Sequence, residues 1–285
     1  MSGYSGAIAR HPGIGRTGVR AALTPRLNRF IPHVPTPRQR AFLLLQHLEA
    51  FYGGAAGGGK SDALLMAALQ FADLPGYSAV IVRRTFAQLS QPGGLLQRAR
   101  QWLAPTEARY SSADHRWTFP RGATLTFRHL QDDRALKNYQ GAEYDFIGID
   151  ELTDLDEDAY RFLFSRLRRL KGSSIPPRVR SASNPVGPGR AWVRRRFVIE
   201  GRAKDRPFVP ARLEDNPHLD REPYEEALAQ LATVLHRQLR FGDWTVSPQG
   251  GRFAPGHVRH IDRFDLPPTL KLGNYPLDGC AAGMV

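Results

Sequence analysis

The glycine-rich run Gly54-Ala-Ala-Gly57-Gly58-Gly59-Lys60-Ser61 constrains this chain more than any other feature. It satisfies the pattern G-x-x-x-x-G-K-[ST], which carries meaning when a strand delivers it and a helix follows it. Both flanks fit. A short strand-like stretch around Phe51-Tyr52 precedes the run, and Asp62 to Phe71 has helix-forming composition with Leu64, Leu65, Ala68 and Leu69 free to pack. A loop without side chains offers successive backbone N–H groups to an anion, and the following helix points its positive end at the same oxygens. Gly54, Gly57, Gly58 and Gly59, with Asp62 just inside the helix, are the candidate nucleotide cradle. Lys60 is expected to reach the β- and γ-phosphates of ATP, and the Ser61 hydroxyl to ligate Mg²⁺.

Two later segments complete the chemistry. Phe146-Ile-Gly-Ile-Asp150-Glu151 is an apolar strand ending in two acids. A carboxylate at the exposed end of a buried strand can hold Mg²⁺, the role expected of Asp150. Glu151, one residue on, is expected to orient and polarise the water that attacks the γ-phosphate. Ser183-Asn184-Pro185 follows another strand candidate, and its small polar side chains suit hydrogen bonds to the γ-phosphate or to that water. By itself Asn-Pro is only a turn signal; its order after the two other motifs gives it weight.

The remaining pattern predicts an α/β fold, a P-loop NTPase with a mostly parallel sheet flanked by helices. Pro37-Arg-Gln39-Arg opens a helix carrying Phe42, Leu43, Leu45 and Leu48. Strands are expected at Ser78 to Arg83, Arg178 to Ser183 and Phe208 to Leu213, and helices at Leu95 to Leu103 and Leu155 to Leu170. Trp117-Thr-Phe and Thr124-Leu-Thr-Phe flank Pro120-Arg-Gly as a hairpin. Tyr224 to Phe241 is expected to form one amphipathic helix, a small lid subdomain. The expected division is a basic flexible arm (1–35), an ATPase core (36–213), a helical lid (214–246), and a linker with a truncated C-terminal stub (247–285).

Forty Lys and Arg against 27 Asp and Glu give a net charge of +13 over 285 residues, which makes a polyanion the expected partner. The single cysteine, Cys280, excludes an internal disulfide, and scattered histidines give no zinc spacing. The sequence shows neither a long apolar run nor a signal-peptide pattern, so a soluble protein of the cytoplasm, without membrane attachment, is expected.

With these motifs in place, the chain resembles the ATPase domain of the large terminase subunit of tailed double-stranded DNA phages. Gln39 resembles the family's adenine-side glutamine, Ile81-Val-Arg83-Arg84-Thr85 its strand and turn after the first helix, and Gln140-Gly-Ala-Glu143-Tyr144-Asp the segment leading into its acidic strand. Ser183-Asn184-Pro185 with Gly189-Arg-Ala-Trp192-Val is similar to its coupling motif, and Asp215-Asn216-Pro217, Tyr224 and Gly242-Asp-Trp244 to its lid. The resemblance implies an ATP-hydrolysing motor that moves double-stranded DNA into a procapsid, in a homo-oligomeric ring, with a small terminase subunit and the portal protein as partners. It also implies a trans-acting cation, for which Arg83, Arg84, Arg134, Lys137 and Arg166 are candidates. Large terminases continue into an RNase H-like nuclease. Here Gly251-Arg-Phe253 resembles its entrance and Leu277-Asp278-Gly279 a remnant of its first acidic strand, so no nuclease activity is expected.

A motor that moves along any sequence grips phosphates rather than bases. Arg161, Arg166, Arg168, Arg169 and Lys171, and the tighter group Arg190, Arg194, Arg195 and Arg196, are the candidate contacts. Phe86, Trp102 and Trp117 suit a core or interface better than base stacking. Two alternatives stay open on sequence: another P-loop helicase or remodelling ATPase, and an inactive DNA-binding prophage remnant.

Overall fold

The computed structural model describes residues 24–131, 133–168, 171–246, 271–272 and 275–276. The chain divides into two compact units, one ending at Ser247 and the other beginning at Pro248. Of the second, the described part is an antiparallel pairing of Lys271–Leu272 with Tyr275–Pro276. No helix among the described residues is long and apolar enough to cross a membrane.

The first unit is built on eight strands: β1 (Glu49–Gly54), β2 (Ser78–Arg83), β3 (Arg109–Ser111), β4 (Arg116–Thr118), β5 (Thr124–His129), β6 (Phe146–Asp150), β7 (Arg178–Ser183) and β8 (Phe208–Ala211). Their order across the sheet is β3-β4-β5-β2-β6-β7-β1-β8. Every pairing from β5 to β8 is parallel, while β3-β4-β5 form an antiparallel edge that includes the expected hairpin. Alternate residues of the central strands feed two cores. Tyr52, Ala79, Ile81 and Phe146 join Leu64, Leu65 and Ala68 on one face; Phe51, Val80, Val82, Ile147 and Ile149 join Tyr160, Val193 and Phe197 on the other. Period-two burial on both faces is what a sheet sandwiched between helices requires.

The helices are α1 (Pro37–Leu44), α2 (Lys60–Leu69), α3 (Phe86–Leu89), α4 (Leu95–Leu103), α5 (Asp133–Lys137), α6 (Glu157–Phe164), α7 (Arg190–Val193), α8 (Arg221–Ala229) and α9 (Thr233–Phe241), with Arg194–Ile199 continuing α7 as a π-helical turn. α1 starts where Thr36 and Gln39 cap each other reciprocally and Pro37 fills the first turn.

Four expectations need correction. Residues 24–35 do not behave as a free arm: Phe30 is buried against the Phe119 ring, and Asn28 Nδ2 donates to Leu69 O at 2.7 Å. The arm reading rested on charge, and Phe30 and Ile31 supply apolar burial that charge counting overlooks. The helix expected at 155–170 is shorter, because Asp156 caps it and Tyr144 bonds to the chain at Arg166 and Arg168. Leu213 lies in a 3-10 turn beyond β8 rather than in the strand. The single lid helix is two, α8 and α9, parted where Ala232 turns extended (ψ 143°). The linker at 247–251 and the Leu277-Asp278-Gly279 segment lie outside the described residues.

Candidate active site

Parallel register sets the frame. β7 lies between β1 and β6, with Gly53 opposite Ser183 and Asp150 opposite Ala182. Neighbouring strands sit about 4.8 Å apart, so the start of the glycine loop, the Ser183 turn and the acid pair share one carboxyl-terminal edge within about 10 Å. That edge is where open α/β sheets bind ligands.

The loop is held from outside. Gly57 O accepts Asn216 Nδ2 (2.7 Å), Gly58 O accepts the Tyr52 hydroxyl (3.2 Å) and Gly59 O accepts Gln39 Nε2 (2.9 Å). Gly54 leaves β1 with φ 142°, and a Cβ there would lie 2.3 Å from Ala211 O, so only glycine lets the loop pass β8. Ala55 N–H donates to Ala211 O and Ala56 N–H to Leu239 O, which ties the loop to β8 and α9. α2 begins at Gly59 without a side-chain cap, and the N–H groups of an uncapped first turn suit an anion.

Lys60 is buried and its Nζ donates to Ala55 O at 2.5 Å. Burial pushes its ammonium down to about 8, against the pull of the Glu151 and Asp150 carboxylates. Asp150 is buried as well. Desolvation and the Glu151 charge push its carboxyl up to about 7, opposed by Arg83 and Lys60. The lysine and both acids therefore act on one another across the gap between loop and strand.

Glu151 stands in the left-handed region (φ 51°, ψ 57°), unusual for a residue with a side chain and frequent at functional sites. Its Oε2 lies 3.2 Å from Ser183 Oγ, which in turn is 2.6 Å from Thr153 Oγ1. With Thr153 donating to Ser183, the single Ser183 proton faces two acceptors, Asn184 O at 2.9 Å and Glu151 Oε2 at 3.2 Å. Asn184 Oδ1 is buried without a hydrogen-bond partner, so an acceptor stands ready beside that chain of hydroxyls. Thr153 gave no sequence signal beyond its place two residues after Glu151.

Sequence placed Arg83 among candidates that act on a neighbouring subunit. The structure instead sets its Nη1 3.3 Å from Asp150 Oδ2 of the same chain. The pairing of Val82 with Ile149 brings the next residues, Arg83 and Asp150, side by side. The turn after β2 is braced to the 3-10 turn that follows the acid strand: Arg84 Nη1 donates to Asp154 O (2.7 Å) and Gln88 Nε2 to Asp154 Oδ2 (3.3 Å). Arg166 lies over the Phe162 ring, and the side chain of Arg134 lies outside the described residues.

Other candidates are engaged elsewhere. Gln39 uses both amide atoms on Thr36 and Gly59, so here it shapes the loop rather than offering a free adenine contact. The Asp62 carboxylate pairs with Arg98. Among the candidate DNA contacts, Arg196 is buried against Glu49, and Arg190 donates to Trp244 O and Val246 O. Both serve the interior. Arg161 and Arg195, both exposed, pair with the half-buried Glu157, and Arg168 pairs with Glu143 at the surface.

The donor set suits Mg²⁺. Ser61 and Asp150 offer oxygen ligands, and a dication would relieve the buried carboxylate whose ionisation burial and Glu151 oppose. Among the described residues no group of three His, Cys, Asp or Glu side chains could hold a metal alone.

The fold is that of large terminases. The large terminase of a thermophilic bacteriophage superposes with a TM-score of 0.62 at 14% identity, covering 74% of this chain and 54% of its own. The HK97 bacteriophage large terminase gives 0.53 at 13%, covering 74% and 51%. The Thermus phage P74-26 large terminase ATPase domain gives 0.52 at 18%, covering 73% and 93%. The chain thus spans about half the length of the first two proteins and nearly all of the P74-26 ATPase domain. No curated protein matches in sequence. Residues 51–192, from β1 through α7, match the family described as terminase large subunit, T4-like-virus type, N-terminal, so this chain carries a terminase large-subunit N-terminal domain.

Proposed function

We propose that this chain hydrolyses ATP and couples the reaction to movement of double-stranded phage DNA into a procapsid, in the cytoplasm of the host. The observation that carries the reading is the meeting of Lys60, Asp150 and Glu151 at one sheet edge, with the Glu151 charge felt by both Lys60 and Asp150. The large terminase of the thermophilic bacteriophage has been solved with ADP and with ATP-γ-S, which supports ATP as the substrate of this related site.

In this reading the loop amides and Lys60 neutralise charge on the β- and γ-phosphates. Ser61 and Asp150 would hold Mg²⁺, whose chemistry there would be further neutralisation of phosphate charge. Glu151, oriented by Ser183 and by its left-handed backbone, accepts the proton of the attacking water. Ser183 and Asn184 sense the γ-phosphate. Asn216 and Leu239, which hold Gly57 and Ala56, carry the state of the loop to α8 and α9. A ring of subunits, a small terminase subunit and a portal protein are the partners that this function requires.

The test is ATP turnover by the parent and by Glu151→Ala, alone, with linear duplex, and with empty portal-bearing capsids. Turnover at least about a hundredfold above the variant, raised by duplex, supports the reading. Stimulation by single strands above duplex would favour a helicase instead, and no turnover above the variant under any condition would overturn ATP hydrolysis.

A further inference from the structure

On the far side of Arg83 from the acid pair, β5 ends at His129, which pairs in register with Arg83. A cavity of about 320 Å³ opens there, lined by Phe86, His115, Arg116, Thr126, Arg128 and His129 among others. Its lining carries two guanidinium groups and two imidazoles against one acid, Asp114, and that acid is paired with Arg116 at 3.2 Å. The excess is cationic.

Arg128 is the telling residue. Its Nη1 donates to Asn138 O at 3.1 Å and its guanidinium lies 5.8 Å from the Tyr139 ring centroid, yet its Nε is buried without a partner. A buried donor without an acceptor is costly, and such groups in folded proteins call for an explanation. His115 holds a left-handed backbone (φ 50°), and its ring lies 4.0 Å from the Phe86 ring, centroid to centroid. A residue with a Cβ is kept in that conformation only where its surroundings insist on it. The ring forms a wall shared with a second cavity of about 410 Å³, which Arg100 and Tyr110 line.

We propose that this cavity is a second anion site of the chain, which takes a phosphate group between Arg128, Arg116 and the two histidines. A guanidinium offers forked donors suited to phosphate oxygens. Thr126 adds a hydroxyl, and the Phe86 face that a base would need is covered by His115, so a phosphate fits the lining better than a nucleobase. Two sources share this chemistry: a backbone phosphate of DNA, and free inorganic phosphate or pyrophosphate. The proposal does not depend on ATP hydrolysis at the first site.

The test follows imidazole resonances of the full chain during titration with pyrophosphate, while a labelled duplex is titrated in parallel by fluorescence anisotropy. Pyrophosphate is expected to shift His115 and His129 but not His236 on α9. Arg128→Gln is expected to weaken binding about tenfold or more, the scale of a lost charge-assisted hydrogen bond, and Arg128→Lys to weaken it less. Weakening with duplex as well assigns the site to DNA; weakening with pyrophosphate alone assigns it to the free anion. If Arg128→Gln fails to fold, the exposed Arg116→Gln takes its place. Static His115 and His129 resonances, or variants that bind both probes like the parent, would overturn the site.

Discussion

Ser183 stands at the centre of the proposed chemistry because one hydroxyl links Glu151 to Thr153. Residues in one hydrogen-bond chain act as a unit, so their substitutions do not add. Thr153→Val and Ser183→Ala are each expected to slow ATP turnover several-fold, and the double variant no more than the worse single one; steady-state rates of the three check this. Asp145, away from the site, carries a pH signature. Burial raises its carboxyl above the usual range against the Ser78 N–H bond that lowers it. Its ionised form therefore costs stability above the raised value, and the cost fades as pH falls toward 4, where the folded state keeps a proton. Asp145→Asn, which still accepts from Ser78, should melt about 2 °C higher at pH 8 with the gain gone by pH 4. Solvent screens a half-buried group, which keeps the effect small. That Lys60, Asp150 and Glu151 would lie near one another was legible in the sequence, because a glycine loop and an acid-ended strand of one parallel sheet share its carboxyl-terminal edge. Arg83 beside Asp150 was not, since only the register of β2 on β6 brings them together.

At the scale of elements, most strands and helices could be read from apolar runs and capping residues; the strand Arg178–Ser183 and the helix Leu95–Leu103 carry the bounds expected of them. What apolar pattern could not reveal is charge inside. Glu49, at the start of β1, accepts Arg196 through two bonds of 2.9 and 3.0 Å, Arg206 at 2.8 Å and the Tyr160 hydroxyl at 2.7 Å. The network fastens β1 to the π-helical turn after α7 and to α6. Arg196→Ala leaves Glu49 buried with one cation fewer and should cost about 3 kcal/mol in urea unfolding. The lid reads differently from a single helix because Leu228 and Leu239 serve separate segments, and α9 ends on Gly242 (φ 66°), where a Cβ would meet Ala55 N at 2.5 Å. Gly242→Ala should destabilise by about 2 kcal/mol, measured by the same unfolding, and loosen nucleotide binding, because the strain falls on the phosphate loop itself.

Taken whole, the sequence carries a net charge of +13, and the proposed function asks the chain to hold both polyphosphate and duplex DNA. If duplex DNA is held through about six phosphates, its affinity should fall about a thousandfold between 50 and 200 mM salt, and a plot of log affinity against log salt should slope near −5. A flat plot would show that the excess charge is not what engages DNA. Because Lys60 Nζ donates to Ala55 O, one of its three N–H groups is committed to the loop itself and two remain for a phosphate oxygen in the proposed role. The ammonium is thus aimed before any ligand arrives, and little of the binding energy has to be spent on orienting it.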